Sequence, residues 1–326
     1  MTDPLLAVRK LHTFFAGRDG SVHAVRGVTF SQEKGEIVGI VGESGSGKTA
    51  LAKSILRLND QRYSSTPTGD VFFNGIDLLS LSEKEINAIR GNEISMIFQD
   101  PMSSLNPTMR VGEQLIEGVL HHDKYIQRST AIERALDLLS KVGIDNPEHR
   151  FMMYPHELSG GMRQRVMIAI AMMCHPQLLI ADEPTTALDV TIQKQILDLL
   201  LSLQTSILLI THDLGVVSQI CTRVIVMYGG CIVEDAPVEE LFADPKHPYT
   251  QRLLDSIPTL DQTQPLNPIE GKPPQLTKHE KGCPFYPRCH KSIDLCKEIP
   301  PELAATEGAH KVSCHLHQPK VQEMLQ

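Results

Sequence analysis

No run of about 18 apolar residues occurs anywhere in this chain of 326 residues, so no segment is written to cross a bilayer as a helix. The opening stretch M-T-D-P-L-L-A-V-R-K lacks a charged region leading into a long apolar one, and no secretory signal is expected. An excess of basic residues is also missing. Lys and Arg number 31 against 39 Asp and Glu, a formal charge of −8, which argues against the global positive field of a nucleic-acid binder. No internal repeat or low-complexity tract is found. Cysteine is sparse before residue 283: Cys174, Cys221 and Cys231 each sit in or beside an apolar run and read as buried core thiols.

What is present is ordinary in bulk and specific in detail. Hydrophobic residues make up 41% and charged residues 21%, the composition of a globular protein with one large domain and room for an appendage. An apolar run over residues 36–41 enters G-E-S-G-S-G-K-T at 42–49. Strand, glycine loop and helix in that order form a phosphate-binding loop. Gly42, Gly45 and Gly47 let backbone N–H groups approach phosphate oxygens, and the following helix, expected through Ala50 to Leu58, adds its positive N-terminus. Lys48 would contact the β- and γ-phosphates, and the Thr49 hydroxyl would ligate Mg²⁺. Glu43, Ser44, Ser46 and Ala50 complete the ATP-holding set.

Further apolar runs end in polar motifs: 178–181 in Asp182-Glu183, 207–210 in Thr211-His212-Asp213, and then 223–227. Continuous apolar runs of this kind suit buried parallel strands with chemistry at their C-terminal ends. Asp182 can hold Mg²⁺ through water, and Glu183 can polarise an attacking water. Between about 100 and 160 the period turns helical, with Leu115, Ile116, Val119 and Leu120, then Ile132, Ala135, Leu136 and Leu139. This reads as an inserted helical subdomain. Around 258 prolines multiply and the period is lost, which places a boundary between a first domain over 1–258 and a tail over 259–326.

With L-S-G-G-M-R-Q at 158–164 added, the chain resembles the ATPase subunits of ATP-binding-cassette transporters. The fold this implies is α/β: a P-loop NTPase cassette with a mixed-sheet core, an inserted helical subdomain and a small Cys-rich C-terminal extension. The resemblance implies roles residue by residue. Gln99 matches the Q-loop, which senses Mg²⁺ and couples to membrane subunits. Ala187, Leu188 and Asp189 match the D-loop. His212 matches the switch histidine, which would hydrogen-bond the γ-phosphate. Ser159, Gly160, Gly161 and Gln164 belong to the signature, which in the family faces ATP held by a second cassette. Phe15 lies where an aromatic stacks on adenine, with Phe14 beside it. One departure is the short connection at Thr205 and Ser206, for which intact catalysis with slightly altered packing is expected.

Residues 245–250 read P-K-H-P-Y-T, and the tail carries G-C-P-F-Y-P-R-C-H-K-S-I-D-L-C and S-C-H-L-H. These features resemble the oligopeptide/dipeptide importer subgroup. The resemblance implies two transmembrane permease subunits, a second and related ATPase chain, an external solute-binding protein, and a peripheral place on the cytoplasmic face of the inner membrane. It also implies a [4Fe–4S] cluster on Cys283, Cys289, Cys296 and Cys314. The spacings of five, six and seventeen residues are wider than usual zinc spacing. Zinc, with His290 and His315 as further ligands, and unliganded or paired thiols stay open. Importers of nickel, metal chelates or haem, soluble cassettes of translation or DNA repair, and a cassette that binds without hydrolysing are the alternative functions.

Overall fold

The computed structural model describes residues 3–17, 20–100, 104–186, 189–256, 269–274, 276, 281–306 and 308–318. Ala187 and Leu188 of the D-loop, and the boundary near 258, lie outside these residues. The strands are β1 (Leu6–Gly17), β2 (Gly20–Gln32), β3 (Ile37–Val41), β4 (Thr68–Phe73), β5 (Ile76–Asp77), β6 (Ile94–Ile97), β7 (Leu178–Asp182), β8 (Ser206–Ile210), β9 (Arg223–Tyr228), β10 (Cys231–Pro237), β11 (Ala304–Ala305) and β12 (Lys311–Val312). The chain divides into two compact units, one of 1–33, 37–80 and 211–326, the other of 34–36 and 81–210.

In the first unit an antiparallel sheet runs β2-β1-β4-β5, and a second sheet runs β11-β12-β10-β9-β3. β3 and β9 pair in parallel, Val38 with Arg223 through Val41 with Val226. β3 is buried from Val38 to Val41 and β9 from Val224 to Tyr228. That two-sided burial is why both read as unbroken apolar runs instead of alternating ones. The helix Lys48–Ile55 follows β3 and buries Leu51, Ala52 and Ile55. It starts and stops earlier than the expected reach to Leu58, because Arg57 takes a left-handed φ of 52° and ends it. The late segment joins this unit: β12 pairs with β10 through Glu234↔Val312 and Asp235↔Lys311.

Two carboxylates that sequence patterning leaves undistinguished are buried in β10. Asp235 is 1% exposed and accepts from Arg223 Nε at 2.7 Å. Glu234 is fully buried. It accepts from the backbone N–H of Lys246 at 2.6 Å and of His247 at 3.0 Å, and it meets His310 Nε2 at 2.7 Å. Burying a charge is costly unless every lone pair finds a donor. Glu234 therefore fixes the 245–250 motif and the 310 turn around itself.

In the second unit β6, β7 and β8 run parallel in the order β8-β7-β6. The helices Val111–His122, Arg128–Lys141, Pro147–Phe151 and Gly160–Met172 belong to this unit. The first buries Leu115, Ile116 and Val119 as expected. The second buries Ala131, Ala135, Leu138 and Leu139, so its core stripe is rotated from the expected Ile132 and Leu136. Gly112 allows the close approach: a Cβ there would stand 2.1 Å from the Phe151 ring. The shortened connection leaves β8 intact from Ser206, whose hydroxyl accepts from Gly35 N–H at 2.8 Å.

Candidate functional site

The phosphate loop leaves β3 at Val41 and enters the helix at Lys48. Gly42, Gly45 and Gly47 all take positive φ, 151°, 79° and 101°. At two of them the space also demands glycine. A Cβ on Gly42 would fall 2.2 Å from Met227 O, and one on Gly47 2.3 Å from Ala24 O. β2 and β9 thus press on the loop's backbone, and the sequence answers with residues that have no side chain. Lys48 is 6% exposed. Its ammonium donates to Gly42 O at 2.7 Å, Glu43 O at 3.0 Å and Ser46 Oγ at 3.5 Å. Ser46 N–H donates to Glu43 O at 3.1 Å, and Gly230 N–H to Ser46 O at 3.0 Å. Ser44 and Gly45 lie exposed, with Thr49 and Ala50 half-buried behind them.

The 211–213 corner belongs to the same unit. Thr211 N–H donates to Ile40 O at 3.1 Å, which puts the corner beside the strand that feeds the loop. His212 is exposed there, and Asp213 caps the next helix by accepting from Gly215 N–H at 2.8 Å. On β1 the two phenylalanines separate. Phe14 stacks on His23 with centroids 3.9 Å apart, while Phe15, half-buried, points to the other face by strand alternation.

The second unit carries the carboxylates. Asp182 ends β7 at 1% exposure. Glu183 follows with φ 48°, its N–H donating to Ile210 O at 2.8 Å. A positive φ is rare for a non-glycine residue and marks a turn held by its surroundings. Gln99 Nε2 donates to Glu183 Oε2 at 2.9 Å, and Thr186 Oγ1 donates to the same oxygen at 2.8 Å. The structure thus brings Gln99 and Glu183 together. Thr186 is a partner that sequence reading missed, although it stands three residues downstream in D-E-P-T-T. Gln164 is buried and reaches Pro184 O at 2.5 Å, so this signature residue braces the carboxylate turn from within.

The signature helix starts at Gly160, and Ser159 caps it by accepting from Met162 N–H at 3.3 Å. Ser159 and Gly160 are exposed. Asp189 caps the helix Val190–Ser202 by accepting from Ile192 N–H at 2.9 Å.

The tail cysteines Cys283, Cys289, Cys296 and Cys314 line a single cavity walled by Phe285 and Leu316 among others. None is in a disulfide. Burial pushes the Cys283 thiol up to about 12 and Cys314 up to about 11, and raises Cys289. Among the described residues no three His, Cys, Asp or Glu side chains stand together as a metal site. Among them, too, no helix is long and apolar enough to cross a membrane.

The family model "ABC transporter" matches residues 25–186, and "Oligopeptide/dipeptide transporter, C-terminal region" matches residues 233–296. The chain is 50% identical over 318 residues to a probable peptide ABC transporter ATP-binding protein of Sinorhizobium fredii, covering 96% of this chain and 95% of that one. It is 48% identical over 319 residues to the dipeptide transport ATP-binding protein of Bacillus subtilis, covering 96% and 95%. With the oligopeptide transport ATP-binding protein of Escherichia coli it shares 48% over 311 residues, covering 94% and 91%. Among solved structures it is similar to a dimeric ATP-binding cassette in a post-hydrolysis state with ADP and Pi bound. That match has a TM-score of 0.65 and 26% identity, and covers 72% of this chain and 98% of the other.

Proposed function

We propose, from the premise that the chain belongs to the oligopeptide/dipeptide family of ABC transporter ATP-binding proteins, the following division of labour among its residues. The chain is the ATP-binding and ATP-hydrolysing subunit of a peptide importer. The full-length likeness to peptide-transport subunits is the observation that carries this reading.

The loop geometry supports the ATP roles. Lys48 now holds the carbonyls of Gly42 and Glu43. In the loaded state it exchanges them for phosphate oxygens, and the N–H groups of residues 44–49 meet the remaining charge. Thr49, Gln99 and Asp182 are the residues that would hold Mg²⁺, and the ion would neutralise charge on the phosphates. Glu183 orients and polarises water. The bonds from Gln99 and Thr186 to one carboxylate oxygen fix the orientation of that carboxylate. His212 contacts the γ-phosphate, and Phe15 stacks on adenine. Ser159, Gly160 and Gly161 serve the nucleotide of a second cassette, with Asp189 on the same interface. The exposed start of their helix supports this.

The partners that follow are two permease subunits, a related second ATPase chain and a solute-binding protein, at the cytoplasmic face of the inner membrane. Four unpaired thiols around one cavity fit a thiolate-held [4Fe–4S] cluster in number and chemistry, though not in present spacing, and Cys283, Cys289, Cys296 and Cys314 would hold it. Iron and acid-labile sulfide in the purified chain test this, and zinc or no metal refutes it.

Glu183→Gln in the assembled transporter tests the catalytic assignment. Turnover should fall about 10²- to 10⁴-fold with ATP binding kept. Near-normal turnover would remove Glu183 from its role.

A further inference from the structure

Glu43 places a carboxylate on a loop built to bind anions, an arrangement that needs an explanation. The structure supplies it from residues far away in sequence within the same unit. Arg288 meets Glu43 in a two-pronged pair, Nη1 to Oε2 at 2.8 Å and Nη2 to Oε1 at 3.2 Å. The Arg288 side chain is 5% exposed and that of Glu43 24%. The guanidinium also donates to Tyr228 Oη at 3.1 Å, Ile269 O at 3.0 Å and Glu270 O at 2.9 Å. Tyr249 is fully buried, and its hydroxyl accepts from the Glu43 N–H at 2.8 Å. Tyr228, Tyr249 and Phe285 pack ring on ring behind these contacts, with centroids 4.6 to 5.4 Å apart.

Resting on the ATP reading above, we infer that Arg288 and Tyr249 are positioning residues of the nucleotide site, acting through Glu43. Two physical arguments carry this. First, charge: an unpaired Glu43 carboxylate on the phosphate loop would repel a triphosphate, and the nearly buried, bidentate Arg288 cancels it in fixed geometry. Second, support: Lys48 holds the loop's carbonyls only while it is not needed by phosphate. The bond from the Glu43 N–H to Tyr249 and those from Arg288 to the Glu43 carboxylate do not involve Lys48, so they keep Glu43 in place when Lys48 turns away. The segment 285–288 is thereby a strut of the ATP site.

The test is a set of variants of the full-length chain, with affinity for a non-hydrolysable ATP analogue measured by calorimetry, and KM and kcat for ATP measured in the assembled transporter. Arg288→Ala should weaken analogue binding roughly tenfold or more, the loss of a charge-assisted pair, and raise KM far more than it lowers kcat. Adding Glu43→Gln should restore most of that affinity, because the exposed repulsion is removed; a purely structural role for Arg288 predicts no rescue. Unchanged affinity in Arg288→Ala, or a double variant as weak as the single one, overturns the charge argument. Should Arg288→Ala fail to fold, Arg288→Lys keeps the charge and should bind better than Arg288→Gln; equal affinities overturn the argument. Tyr249→Phe removes one hydroxyl and should raise KM by about threefold; an unchanged KM overturns the support argument. A wild-type chain that binds no ATP would refute the proposed function itself, a result distinct from all of these.

Discussion

Two glycine-bearing helix starts in this chain look alike as text and differ as structures. At 42–48 the glycines take positive φ, and at Gly42 and Gly47 backbone atoms stand where a side chain would be. At 159–161 the helix is capped by Ser159, neither glycine has a positive φ, and a Cβ on Gly160 would meet nothing within 4 Å among the described residues. The first pair of demands is internal, since the fold of the loop requires glycine. At Gly160 the described residues show no such need, and a Cβ on Gly161 would stand 3.4 Å from Ile192 Cγ2. A glycine that costs helix stability and meets no steric demand among the described residues is consistent with a close approach from outside the chain. This supports the two-cassette reading from the physics of one chain.

Gly47→Ala should break that comparison most severely. A methyl forced to within 2.3 Å of Ala24 O at φ 101° costs on the order of 3 kcal/mol or more, and nucleotide affinity should fall at least about 10²-fold in a binding assay. Gly160→Ala sharpens it. The isolated chain should melt at the same temperature or slightly higher, by up to about 1 kcal/mol of added stability, while turnover of the assembled transporter drops about 10²-fold. A lower melting temperature would mean that Gly160 serves the fold after all. The smallest effect belongs to Asp189→Ala, where loss of the bond from Ile192 N–H should cost about 1 kcal/mol, read as a modest fall in the thermal midpoint.

Legibility followed the distance along the chain over which each contact is made. The phosphate loop could be read because strand, turn and helix are consecutive, and the glycine spacing reports backbone geometry directly. β7 and β8 were legible because two-sided burial removes alternation. The rotation of the second helix's core stripe to Ala131 and Leu138 was not legible, since alanine is tolerated on either face. Thr186, which shares Glu183 with Gln99, was hidden by a different cause: a threonine after a carboxylate turn has many ordinary uses. As sequence, the motif P-K-H-P-Y-T carries only a family resemblance. Its work depends on Glu234, buried in β10, and on the Tyr249 hydroxyl accepting from the Glu43 N–H.

The sequence by itself determined the class of chemistry: a glycine loop with Lys48, a strand ending in Asp182 and Glu183, and the signature at 158–164. These are local because phosphate recognition uses consecutive backbone N–H groups, and a carboxylate needs only a strand end to present it. Only the tertiary structure decided how Glu43 is neutralised, because Arg288 lies 245 residues away. Charge pairing of that kind is set by the register of β9, β10 and the tail in three dimensions, and no spacing along the chain encodes it.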